Sequence, residues 1–209
     1  MTYRVLRASV VTVTLAGLSL AGCATGGEMT HPTVVLETNL GDIRIELFPE
    51  DAPISIDNFL AYVDSDFYEG LIFHRVMPGF MIQTGGHEPV HTEREATADQ
   101  IRNESDNGLI NLRGTVAMAR MQQPHSARSQ FFINLVDNAM LDHGATPGGW
   151  GYAVFGRVIE GMDVVDQIAT VPTGTVGAYQ DVPIDPVVIR ATRRADAVVV
   201  ASSDAGSGD

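Results

Sequence analysis

One arginine stands out by the company it keeps. In the run Phe73-His74-Arg75-Val76-Met77-Pro78-Gly79-Phe80-Met81-Ile82-Gln83-Thr84-Gly85-Gly86, Arg75 sits among large apolar residues beside a Pro-Gly turn. Two readings are open from these residues alone. A surface arginine could lie its stem along apolar neighbours, or a fixed guanidinium could be offered to a bound group. A second candidate is His87-Glu88-Pro89-Val90-His91, which matches the His-Glu-x-x-His pattern of zinc proteases. That chemistry needs both histidines on one face of a formed helix, with the glutamate as base. Pro89 lies between them, Gly85-Gly86 stands just before, and no third ligand is evident. A loop is therefore expected, with no metal. His125 and His143 read as surface residues beside loops, and the sequon Asn103-Glu104-Ser105 carries no weight. Cys23 is the single cysteine, so no intramolecular disulfide can form.

Composition narrows the function classes. The chain has 209 residues and a formal net charge of -13. Such an acidic sheath repels phosphate backbones, so no nucleic-acid partner is expected. All basic side chains are arginine, with no lysine. A Lys-free, Asp-rich surface fits a high-GC genome or a salty habitat.

The first residues read as an address. Arg4 and Arg7 make a positive start without any acid, and an apolar stretch follows from Ala8 to Ala21. About 14 residues are too few to span a bilayer, which takes about 20. The stretch ends Leu20-Ala21-Gly22-Cys23. This resembles the bacterial lipobox, in which cleavage before the cysteine follows attachment of a diacylglycerol to its thiol. The resemblance implies a signal peptide over 1–22 and a lipid on Cys23 that holds the mature protein to a membrane. Ala24, standing where Asp would imply retention at the inner membrane, points to the outer membrane and its periplasmic face.

The rest divides simply. Residues 23–32 read as a lipidated start and flexible spacer, 33–193 as one globular domain, and 194–209 as a disordered acidic tail. Val34 and Leu36, then Ile43, Ile45 and Leu47, alternate with polar residues around Asn39-Leu40-Gly41-Asp42, a hairpin pattern. Pro53 suits the first turn of a helix whose apolar face is Ile56, Phe59, Leu60 and Val63. Short apolar runs follow over 71–76, 80–82, 114–119, 130–135 and 152–158, then a second helix over Met162–Ala169 and a last strand at Pro186–Arg190. Many short strands with two helices predict a mainly β fold, a closed barrel with helical plugs.

The run around Arg75 closely resembles the signature of the cyclophilin-type peptidyl-prolyl isomerases. Gly114–Arg120, then Ser129-Gln130-Phe131-Phe132-Ile133, then Leu141-Asp142 and Tyr152–Val158 resemble the family's later motifs in the same order. The resemblance implies an eight-stranded antiparallel barrel capped by two helices, with a groove on its outer face for Xaa-Pro segments. Arg75 takes the catalytic arginine position. Phe80, Met81, Phe132 and Leu141 match the proline pocket. Gln83, Gln130 and the backbone of Ala119 and Arg120 match the groups that hold the substrate chain, and His74 and Tyr152 match groove positions. The implied partners are proline-containing polypeptides, the implied protein is a monomer, and no cofactor is needed.

Several positions depart from the family pattern. Met140 replaces a tryptophan that contacts cyclosporin in animal members, so weak cyclosporin binding is expected. Arg120 replaces an asparagine. The segment 143–151 is longer than in short bacterial members and carries Trp150, which either lines the groove or packs its own loop. Two functions compete: an isomerase that speeds folding of exported proteins, and a cyclophilin barrel used as a chaperone or scaffold. Arg75, Phe80, Gln83 and Phe132 favour the enzyme, since a scaffold need not keep them. The anchor has a direct check. A Cys23→Ser variant, fractionated after expression in a bacterial host, should move from the membrane to the soluble fraction.

Overall fold

The computed structural model describes residues 29–89 and 92–200. The leader, Cys23, the first part of the spacer, His91 and the segment from 201 lie outside the described residues. Among the described residues, ten strands and two α-helices follow in the order β1 (Met29–Thr38), β2 (Gly41–Leu47), α1 (Pro53–Asp64), β3 (Arg75–Met77), β4 (Met81–Thr84), β5 (Thr115–Met118), β6 (Phe131–Asn134), β7 (Val154–Glu160), α2 (Met162–Ala169), β8 (Thr173–Val176), β9 (Tyr179–Pro183) and β10 (Ile189–Val200).

Eight strands form one antiparallel sheet in the order β10-β1-β2-β7-β5-β6-β4-β3. The β1–β2 hairpin turns on Asn39-Leu40, with Thr38 facing Gly41. The sheet curls until its two edges meet. Just before β3, Gly70 N donates to Ile189 O at 2.8 Å, Ile189 N to Leu71 O at 2.8 Å, and Phe73 N to Val187 O at 2.9 Å. The expected closed eight-stranded barrel with two helices is what the chain forms.

Period-two alternation fills the barrel. Val34, Leu36, Ile43, Ile45, Ile82, Val116, Phe131, Ile133 and Phe155 point inward, each fully buried. Helix α1 adds Phe59 and Tyr62, and Tyr68 follows from the next loop. Phe59 meets Tyr68, Phe131 and Phe155 at ring separations of 5.6, 5.3 and 5.2 Å. Pro53 starts α1 as expected, but no side chain on α1's own flank caps it. The buried carboxylate of Glu104 does so instead, accepting from Ile54 N at 3.0 Å and Ser55 N at 2.7 Å. A negative group at this end also answers the helix dipole.

The structure corrects two expected boundaries. The tail beginning at 194 is in part a strand, because β10 continues to Val200 and pairs with the start of β1. His31 faces Val198 and Thr33 faces Ala195 across this ribbon. The spacer likewise ends earlier, since β1 begins at Met29. Val198, Val199 and Val200 are β-branched and suit a strand; the acidic, small-residue composition around them hid the pattern. The hairpin β8–β9, which packs against β3, leaves no mark in the sequence pattern. Its residues are mostly half or fully exposed and show no apolar alternation.

Candidate functional site

The same alternation that fills the barrel dresses its outer face. On β4, Ile82 and Thr84 turn inward, so Met81 and Gln83 turn outward. On β6, Phe132 turns outward between Phe131 and Ile133, and on β5 Ala117 does so. Met81, Ala117, Phe132 and Val154 form a second apolar cluster outside the core, covered in part by Phe80, Leu141 and Tyr152. Above it lies a cleft of about 210 Å³ lined by Arg75, Phe80, Met81, Gln83, Ala119, Arg120, Phe132, Leu141 and Tyr152. An arginine edge, a glutamine and an apolar floor therefore share one small hollow.

Polar contacts hold this arrangement. Gln83 and Phe132 face one another across β4 and β6, and Arg75 faces Gln83 across β3 and β4. Gln83 Nε2 donates to Gln130 Oε1 at 2.8 Å. Gln130 borders a second hollow of about 140 Å³, which shares Gln83, Ala119 and Arg120 with the cleft and also takes in Arg94, Met121 and Arg128. Gly85 and Gly86 make room for this corner. Gly85 has φ +89°, and a Cβ there would stand 2.6 Å from Ser129 O. At Gly86 a Cβ would stand 2.5 Å from Gln130 Nε2. Tyr68 Oη donates to Ser129 O at 3.0 Å from the core side. Burial, and then the neighbouring Tyr62, push the Tyr68 hydroxyl well above its ordinary range, so it stays a neutral donor.

Beneath Phe80 and Leu141 runs a chain of buried amides. Asn138 Nδ2 donates to Phe80 O at 2.9 Å and to Asn134 Oδ1 at 2.8 Å. Asn134 Nδ2 donates to Asn111 Oδ1 at 3.2 Å, and Asn111 Nδ2 to Asp142 Oδ1 at 2.9 Å. Leu141 N closes onto Asn138 O at 2.8 Å, and Tyr152 N onto Leu141 O at 2.9 Å. The Tyr152 ring meets Phe132 edge-on at 5.6 Å.

Two residues expected at the groove stand apart from the cleft. His74 is buried and stacks on His87 at a ring separation of 4.3 Å. Met140, on a 3-10 turn over Ala139–Leu141, is 61% exposed and does not line the hollow. The Arg120 side chain bends away towards the 143–151 loop, and Trp150 packs edge-on against His125 and His143 at 4.9 and 5.5 Å. Trp150 is absent from the cleft lining. His87 forms bridges to Ile72 and Glu93, which is not the helical setting that the His-Glu-x-x-His chemistry requires. Asp181, which the sequence did not single out, places Oδ2 4.0 Å from Arg75 Nε, at φ +59° on β9. No pattern marks such a residue in the sequence; only the folding of β9 onto β3 brings it there.

The sequence profile described as cyclophilin type peptidyl-prolyl cis-trans isomerase matches residues 33–194. The chain belongs to this family. Curated cyclophilins agree along most of their length. Peptidyl-prolyl cis-trans isomerase A of Dickeya dadantii is 49% identical over 193 residues, which cover 92% of this chain and 98% of that one. Peptidyl-prolyl cis-trans isomerase B of Escherichia coli is 54% identical over 157 residues, covering 75% of this chain and 95% of that one. A crystal structure of a Cryptosporidium parvum cyclophilin, obtained in the presence of the dipeptide Ala-Pro, superposes with TM-score 0.68 at 28% identity, covering 78% of this chain and 99% of that one. This cyclophilin is a peptidyl-prolyl cis-trans isomerase. The Gly86 corner gives a test of its groove. Gly86→Ala should displace the Gln130 side chain and weaken its bond to Gln83, lowering kcat/KM on an Ala-Pro peptide roughly two- to tenfold with little change in melting temperature.

Proposed function

We propose that this isomerase accelerates Xaa-Pro isomerisation during folding of exported proteins, with Arg75 as its catalytic group and a lipid on Cys23 holding it to the outer membrane. The observation that carries the catalytic reading is the shared hollow of Arg75, Gln83 and an apolar floor.

The reaction makes and breaks no covalent bond. Its barrier, roughly 20 kcal/mol, is the lost resonance of the imide. As the bond twists, the proline nitrogen becomes pyramidal and its lone pair becomes a true acceptor. An Arg75 N–H aimed at that lone pair stabilises the twisted state alone, which is the condition for lowering a barrier. The twisted imide is also less polar than the planar one, so a floor of Phe80, Met81 and Phe132 with a wall of Leu141 favours it. These residues grip the ring while the preceding carbonyl turns. Gln83, oriented by Gln130, and the backbone of Ala119 and Arg120 hold the peptide chain. No step needs a metal or a nucleophile.

The cellular role rests on the lipobox-like Leu20-Ala21-Gly22-Cys23. Cys23 lies six residues before β1 begins at Met29. A chain of that length spans at most about 20 Å when fully extended, so a lipidated Cys23 keeps the barrel close to the bilayer surface. Exposed Met140, in place of the larger aromatic side chain, offers little for cyclosporin to pack on, and weak binding follows. Arg75→Ala should lower kcat/KM on an Ala-Pro peptide by about a hundred- to a thousandfold while the far-UV spectrum and melting temperature stay near wild type. Near-full activity would remove Arg75 from the catalytic role.

A further inference from the structure

A larger hollow adjoins the proline cleft and has no assigned occupant. It measures about 720 Å³ and is walled by Met121, Leu141, Thr146, Pro147 and Tyr152, with Arg120 and Gln122 completing it. Arg120, Leu141 and Tyr152 also line the proline cleft, so the two hollows adjoin along these side chains. A peptide whose proline fills the first can lay a flanking residue along the second.

The lining sets the chemistry. Met121 is 66% exposed, an apolar side chain held in water in a strongly acidic protein. With Leu141, Pro147 and Tyr152 it makes the wall of this hollow mainly apolar. Among the described residues Arg120 is the charged member of the lining, and backbone carbonyls of the loop hold its guanidinium to one side. Its Nε donates to Gly151 O at 3.0 Å and one terminal nitrogen to Trp150 O at 2.6 Å, while its carbon lies 4.6 Å over the Tyr152 ring. The other terminal nitrogen donates to Met121 O at 2.9 Å. The other lining residues, Met121, Gln122, Leu141, Thr146, Pro147 and Tyr152, carry no formal charge, so the wall that meets a ligand side chain there is mainly neutral and apolar.

The loop is also formed in advance. Gly144 N donates to Gly149 O at 2.7 Å, Thr146 Oγ1 donates to Trp150 O, and Trp150 is wedged between His125 and His143. Little ordering cost remains to be met on binding. We propose that the 143–151 loop and Met121 form an apolar subsite, adjoining the proline cleft, that takes an apolar side chain on the residue flanking the proline. This rests on the isomerase reading of the cleft and names the substrate class that the cleft prefers.

Two peptide series test it, one varying the residue before proline and one the residue after, each through Ala, Leu, Met, Phe, Asp and Arg. The readout is the ratio of kcat/KM for Leu, Met or Phe to that for Ala, so a variant that folds less completely lowers both rates and leaves the ratio intact. Wild type should favour the apolar members roughly tenfold in one series, about 1.4 kcal/mol. Met121→Glu, or Pro147→Asp should the first fold poorly, should bring that ratio to about one. Flat ratios in both series, or a preference that survives in both variants, would overturn the proposal. Failure of wild type to accelerate any peptide, Ala included, would overturn the isomerase reading and this one with it.

Discussion

A barrel filled by its own side chains can hold a ligand only on its outside. Here the interior is closed by Phe59, Tyr62, Tyr68, Phe131 and Phe155, all essentially inaccessible to water. Strands β4, β5 and β6 therefore carry two duties on alternate residues. Ile82, Val116, Phe131 and Ile133 anchor each strand in the core, and Met81, Gln83, Ala117 and Phe132 face outward from the strands so anchored. The rigidity of the filled core is transmitted to the cleft one residue away. A register slip of one residue in β4 or β6 would exchange core and site together.

Precise placement in an apolar cleft is achieved by polar groups beneath it. The amide chain from Asn138 through Asn134 and Asn111 to Asp142 ties the turn carrying Phe80 to the turn carrying Leu141. Buried amides are costly unless paired, so a satisfied chain defines one arrangement and penalises others. Tyr68 acts in the same way on the Ser129–Gln130 corner, as a buried neutral donor. Catalysis by a stationary donor depends on this kind of support, because a hydrogen bond aimed at a twisted imide stabilises the transition state only if the donor need not reorganise.

Much of this was legible in the sequence, and what was not has identifiable causes. Helix α2 falls on Met162–Ala169 as the apolar spacing requires, and α1 begins at Pro53, where the missing N–H costs nothing. Arg75, Gln83, Phe132 and Tyr152 come together as the motif order implied. The asparagine network, the Glu104 cap of α1 and the placement of Asp181 beside Arg75 join residues far apart in the chain, and single polar residues carry no periodicity by which to recognise them. His74 shows the converse limit. It adjoins Arg75 in sequence, but its side chain turns to His87 rather than lining the cleft. The 195–200 stretch of β10 was obscured because small and acidic residues flank three β-branched ones, so average composition masked a strand.

The central claim is that Arg75 lowers the barrier through a directed N–H, and not merely by attracting the peptide. Exchange NMR on a bound Ala-Pro peptide separates these effects, since it reads the rate of cis–trans interconversion on the enzyme apart from affinity. Arg75→Lys keeps the positive charge but loses the planar, rigid fork. The account predicts peptide affinity within a few fold of wild type and on-enzyme interconversion slowed by about a hundredfold or more. An unchanged interconversion rate in Arg75→Lys would contradict it.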